Sequence, residues 1–153
     1  GNIEVKGSSS ASLHQFVLNT SGNINMGGSS SCSIKSGTLK ANDISLNASS
    51  SGGIRDCRLD ARGLSAVISS SATMSLSGQV QTASFQGSSS GRIRAEGLTA
   101  TDATASMSSS SSLTLRVTGV ANFHCNSSGS IRYSGNPDIQ RQDASSGGRI
   151  SAL

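Results

Sequence analysis

The chain has 153 residues, about the length of one domain, with 33% hydrophobic and 3% aromatic residues, no Trp, a single Pro and a formal net charge of +4. So little apolar and aromatic material argues against a conventional globular core, and without its pattern the composition would suit a Gly/Ser-rich linker. No apolar run approaches the ~18 residues of a membrane-spanning helix, and no charged-then-apolar leader opens the chain.

In chain order, Ile3, Val5 and Gly7 alternate with polar residues, which is the period of a strand with one buried face. The phrase SSSASL (8–13) follows, then Leu18. Ile24, Met26 and Gly28 repeat the alternation before SSSCSI (29–34) and Leu39. Ile44, Leu46 and Ala48 lead into SSSGGI (49–54) and Leu59, and Leu64, Ala66 and Ile68 into SSSATM (69–74). Ala83, Phe85 and Gly87 precede SSSGRI (88–93) and Leu98; Ala103, Ala105 and Met107 precede SSSSSL (108–113). Ala121, Phe123 and Cys125 precede NSSGSI (126–131), and SSGGRI (145–150) is the last phrase.

The phrases begin at 8, 29, 49, 69, 88, 108, 126 and 145, so the intervals are 21, 20, 20, 19, 20, 18 and 19 residues. A fixed period near twenty marks a solenoid, whose repeats bury their apolar faces only by stacking. Each repeat offers a strand before the phrase and a strand after it, on the column Leu13, Ile34, Ile54, Met74, Ile93, Leu113, Ile131 and Ile150. A partial third column is Leu18, Leu39, Leu59 and Leu98. Helical spacing is not sustained anywhere. The pattern predicts an all-β fold, a single-stranded parallel β-helix of about 7–8 coils, right-handed by the crossover rule. It would be roughly 34 Å long at about 4.8 Å per coil. It forms a single domain over 1–153, with 135–153 as the last coil and cap, and would also suit the C-terminal part of a longer solenoid. Pro137, with Asp138, Arg141 and Asp143, is expected to interrupt that last coil.

The serine phrases fall at the bends. Small residues there are expected to fit a narrow lumen, with Gly supplying any positive φ, and Ser50, Ser70, Ser89 and Ser109 to stack along one corner. Ile44, Ile54, Leu64, Phe85, Ile93, Leu113 and Phe123 are expected in one continuous buried lumen.

The catalytic inventory is poor, and no catalytic residue, metal site or cofactor is assigned. His14 and His124 should both point outward and far apart. Glycan-cleaving β-helices need clustered carboxylates, whereas Asp43, Asp56, Asp60, Glu96 and Asp102 are scattered. Asp56 and Asp60, beside Arg55, Arg58 and Arg62, read as a solvated, ion-paired bend. Cys32, Cys57 and Cys125 lack metal-like spacing and read as lumen fillers. The sequons at Asn19, Asn47 and Asn126 read as chance in a chain so rich in Ser and Asn.

The tail SSGSIRYSGNPDIQRQDASSGGRISAL (127–153) resembles the end of the auto-transporter adhesin head GIN domain family, whose closing Tyr-x-Gly-Asn-Pro segment is matched by Tyr133, Gly135, Asn136 and Pro137. Gly22-Asn23-Ile24 repeats the opening Gly1-Asn2-Ile3. The resemblance implies a secreted or cell-surface protein of the bacterial envelope, with a leader absent from this chain, and brings no catalytic residues with it.

Two functions fit a rigid rod. One is an adhesion or structural module that presents flat faces to a surface, a glycan or another copy of itself through its ends or edges. The other is ice binding through the hydroxyl column Ser45, Ser65, Ser84 and Thr104. Charge favours the first. Lys35, Arg55, Arg94 and Arg132 stand just after the post-phrase apolar column, and Arg92 and Arg149 just before it. Such a basic stripe suits an acidic polysaccharide or lipopolysaccharide; nucleic acid ranks lower, because few aromatics are available to stack bases.

Overall fold

The computed structural model describes residues 1–152, which are all β with no helix among them. The strands in order are β1 (Ile3–Gly7), β2 (Ser12–Asn19), β3 (Asn23–Gly28), β4 (Ser33–Lys40), β5 (Asp43–Ala48), β6 (Gly53–Ile68), β7 (Thr73–Gly87) and β8 (Arg92–Met107). They continue as β9 (Ser112–Val117), β10 (Val120–Cys125), β11 (Ser130–Gly135), β12 (Asp138–Ala144) and β13 (Arg149–Ala152). Every pairing is parallel and joins each strand to its equivalent one coil away, giving a β-solenoid of about eight stacked coils. Strands β6, β7 and β8 run for 16, 15 and 16 residues because the chain passes from one face to the next without leaving the ladder.

Three faces result. Face A holds the strands before each serine phrase, with Ile3, Ile24, Ile44, Leu64, Ala83, Ala103 and Ala121 in one inward register. Face B holds the strands after it, with Leu13, Ile34, Ile54, Met74, Ile93, Leu113, Ile131 and Ile150 in another. Face C carries Leu18, Leu39 and Leu59 in line, then Gly78 and Leu98. The expected lumen is present: Ile44, Ile54, Leu64, Phe85, Ile93, Leu113 and Phe123 are all at most 4% exposed and belong to one core cluster. Each such side chain contributes about 1.5–3 kcal/mol by leaving water, and stacking allows so sparse a composition to do this in every coil.

Two inward columns are not evident from the sequence repeat. Cys57 aligns with Leu76, Ala95 with Leu115, and Ala61 with Val80, Ala100 and then Val117. Bulges conceal them. Arg55 and Asp56 together oppose the single residue Ser75, and the register shifts again between Ser75 and Ser77 and between Ala95 and Thr99. A fixed offset from each phrase therefore drifts out of step on face C.

The serine corners differ from expectation. In each coil the first phrase residue accepts a hydrogen bond from the amide three positions on, as Ser49 O does from Gly52 N at 3.0 Å and Ser69 O from Ala72 N at 3.2 Å. The second phrase residue takes positive φ, and it is serine rather than glycine: Ser9, Ser30, Ser50, Ser70, Ser89 and Ser109 lie between 53° and 55°. Ser50, Ser70, Ser89 and Ser109 do repeat along one corner, but they are exposed. The residue that faces the lumen is the fourth of the phrase, where Cys32, Gly52, Ala72, Gly91, Ser111 and Gly129 are buried. Corners are fixed by the backbone ladder on either side, as in Ser69 N to Ala48 O and Thr73 N to Gly52 O, so the second serine can tolerate a left-handed conformation that costs an L-residue roughly 1–2 kcal/mol.

All three cysteines are free and buried. Burial pushes the Cys57 thiol above its ordinary range, with a hydrogen bond from the Gly37 backbone opposing the shift, and burial also raises Cys125. A thiol raised by folding stabilises the protein fully below the ordinary value of about 8.5, and that stabilisation is lost as pH climbs through the folded value. Urea melts are therefore expected to show stability falling as pH rises above about 8.5, and falling less in Cys57→Ala/Cys125→Ala. An identical decline in both proteins would contradict the assignment.

Pro137 does not interrupt the coil. It lies between β11 and β12 at the corner where Thr118 and Gly119 stand one coil earlier, and the chain then resumes pairing, β12 with β10 and β13 with β11. Arg141 Nε donates to Asp143 Oδ2 at 2.5 Å on this final coil. At the opposite end, Ile3, Val5, Leu13 and Leu18 are half-buried against the core and Val17 is 75% exposed.

Candidate functional site: a basic face

Alternation along each strand fixes what face B shows to solvent. With Ile34, Ile54, Met74, Ile93, Leu113 and Ile131 committed to the lumen, their neighbours on either side must point out. The leading outward column is Ser33, Gly53, Thr73, Arg92, Ser112, Ser130 and Arg149. The trailing column begins with His14, Lys35 and Arg55 and continues through Ser75, Arg94, Thr114, Arg132 and Ser151, the Arg55–Asp56 bulge standing opposite Ser75.

All six basic residues singled out from the sequence therefore share face B, and all six are exposed. Among the described residues, none of them makes an ion pair: the pairs present are Lys6–Glu4, Arg141–Asp143 and the longer His124–Asp143 contact at 4.0 Å. The ion-paired bend expected at Asp56 and Asp60 is consequently not formed. Asp56 lies on the bulge at φ 53°, and both it and Asp60 are exposed.

Two shallow grooves cross the face and share Arg92 and Arg94. One, of roughly 410 Å³, adds Arg55, Asp56, Thr73 and Ser75. The other, of roughly 360 Å³, adds Glu96, Thr114, Ser130 and Arg132. The sequence columns contain no acid, but the bulge brings Asp56 to the edge of the first groove, and Glu96 borders the second. The hydroxyls of Ser75 and Thr114 were also missed as part of this surface. Writing the whole trailing column, rather than its charged members alone, would have revealed them. A guanidinium stays charged at any ordinary pH and offers planar, bidentate donation to carboxylate or phosphate.

The remaining candidates are dispersed. His14 sits on face B, where its ring nitrogen lies 2.6 Å from Ser12 Oγ, while His124 sits on face A opposite Asp143. No cluster of three or more His, Cys, Asp or Glu residues suited to a metal ion occurs among the described residues. The hydroxyls Ser45, Ser65, Ser84 and Thr104 do align on face A, but the same column contains Glu4, Asn25, Asn122 and Arg141, so the array is not uniform. Phe85 and Phe123 are buried, and the half-buried Tyr133 packs on Phe123 with ring centroids 5.2 Å apart.

The fold defines a repeat-built, single-stranded parallel β-solenoid with flat polar faces and a filled lumen. Over residues 8–137 the chain matches the family described as "Putative auto-transporter adhesin, head GIN domain", and it belongs to that family. A crystal structure described as that of a "Putative lipid binding protein" from Parabacteroides distasonis is similar at 27% identity with a TM-score of 0.84. The similarity covers 98% of this chain and 61% of that one, so this chain spans about three-fifths of its neighbour's length. No curated protein matches the chain. No helix among the described residues is long and apolar enough to cross a membrane.

Proposed function

We propose that this adhesin-family domain is a non-catalytic module of the bacterial cell surface or extracellular space, and that face B binds anionic glycan. The observation that carries this reading is the set of five arginines and one lysine that stand exposed, without an ionic partner among the described residues, on one flat face. A strand ladder holds the backbone beneath them in fixed register, so binding has to order the side chains but not the backbone. Their charge adds long-range attraction for a polyanion.

The neighbour's description as a lipid binding protein bears on this only through charged headgroups. Side chains of Ile, Leu, Phe and Met fill the lumen from Ile24 to Ile131, where an acyl chain would otherwise lie. A lipopolysaccharide would therefore be bound by its anionic sugars and phosphates.

Replacing Arg55, Arg94 and Arg132 together by Ser tests the reading. These side chains are exposed, so the β-sheet circular dichroism and melting temperature should be retained. Affinity for an acidic polysaccharide should fall about tenfold or more, and its dependence on salt should weaken. Binding that is absent in the wild type, or unchanged in the triple variant, would overturn the assignment.

A further inference from the structure

The trailing column of face B is not uniformly basic. From Arg55 onward it reads Arg55, Ser75, Arg94, Thr114, Arg132, Ser151, a guanidinium and a hydroxyl in strict alternation over six coils. Because adjacent coils are about 4.8 Å apart, the guanidinium groups recur at about 10 Å and the hydroxyls fall midway. A pyranose ring in an extended polysaccharide advances by roughly one strand spacing, so the column matches alternate sugars.

Resting on the glycan-binding reading above, we infer that the ligand is an acidic polysaccharide carrying one carboxylate per disaccharide. Laid along the column, such a chain sets each carboxylate against Arg55, Arg94 or Arg132, where charge-assisted hydrogen bonds are about twice as strong as neutral ones. Its neutral sugars then meet Ser75, Thr114 and Ser151. A polymer charged on every sugar would set alternate carboxylates against hydroxyls, which supply a single neutral donor each.

The grooves favour the same ligand. Asp56 borders the groove between Arg55 and Arg94, and Glu96 the groove between Arg94 and Arg132. Asp56 belongs to the coil of Arg55 and Glu96 to that of Arg94, so each accepts hydrogen bonds from sugar hydroxyls and disfavours more than one carboxylate beside each guanidinium. Their negative charge on the same face disfavours a densely charged chain more than an alternating one.

Calorimetric titration with two oligosaccharide series of equal length separates the possibilities: hyaluronan, charged on alternate sugars, and oligogalacturonate, charged on every sugar. The wild type should bind hyaluronan oligomers about tenfold more tightly, although net charge alone predicts the opposite order. Ser75→Arg/Thr114→Arg, which fills the hydroxyl positions on the solvent side, should reverse that preference. Tighter binding of oligogalacturonate by the wild type would overturn the spacing inference while leaving the basic face as a glycan site. Binding of neither series would overturn both.

Discussion

Truncating Ile54 to Ala is expected to lower stability by about 2–5 kcal/mol. Ile54 is 0% exposed and lies in register between Ile34 and Met74, so three consecutive coils meet at its side chain. The ladder on either side holds the coil spacing, which limits how far the lumen can collapse into the space left behind. At a typical stability of about 0.05–0.15 kcal/mol per residue, one such change removes a large part of the total. Because a solenoid is stabilised chiefly by nearest-neighbour interfaces, the central coils should also lose cooperativity with the ends. Urea denaturation of Ile54→Ala beside Val17→Ala, whose side chain is 75% exposed, supplies the comparison. Equal midpoints in the two variants would show that the lumen register is wrong.

Gly78→Ala is expected to be as damaging, through backbone rather than side-chain packing. Gly78 has φ +110°, and a Cβ there would clash with the Leu59 carbonyl oxygen and lie 2.8 Å from the Leu59 amide nitrogen. Coil four has one residue where coil three has the Arg55–Asp56 bulge, and its strand regains register at Leu76, two residues before this glycine. An L-residue there would combine left-side φ strain of roughly 1–3 kcal/mol with displacement of a backbone that the ladder holds in place. Gly53→Ala is the control: its Cβ would approach only the flexible Arg55 side chain at 3.4 Å and the Thr73 carbonyl at 3.6 Å. Thermal melts should place Gly78→Ala well below Gly53→Ala, and parity between them would refute the pinched geometry.

The period of twenty and its two firm apolar columns were legible because a strand's side chains alternate strictly and each coil repeats the same corner. Ile54 and Ile93 could thus be assigned to one lumen from their distance to the serine phrase alone. Face C was harder to read, since the bulge at Arg55–Asp56 and the missing residues before Arg116 shift its offset from coil to coil. The corner chemistry was misread for a different reason. Sequence preference assigns positive φ to glycine, whereas here the hydrogen-bonded corners hold Ser50 and its equivalents in that conformation. The six basic residues were legible as a face because each lies one position from an inward residue, on the same side of the strand. Their hydroxyl neighbours Ser75 and Thr114 stand in the same column of the sequence, whereas the acids Asp56 and Glu96 join this surface only through the bulge and the stacking of coils.

This register also decides where a ligand could be met. Lumen volume is occupied by side chains, which leaves the faces as the places where recognition can occur. Shallow grooves of similar size lie on all three, and face B is distinguished by its concentration of cations.

The most direct measurement is an amide NMR titration of the wild-type domain with an acidic oligosaccharide at moderate salt. The shifts should concentrate on Lys35, Arg55, Ser75, Arg92, Arg94, Thr114, Arg132 and Arg149, with faces A and C almost silent. Shifts centred on Ser45, Ser65, Ser84 and Thr104, or none at saturating ligand, would contradict the account.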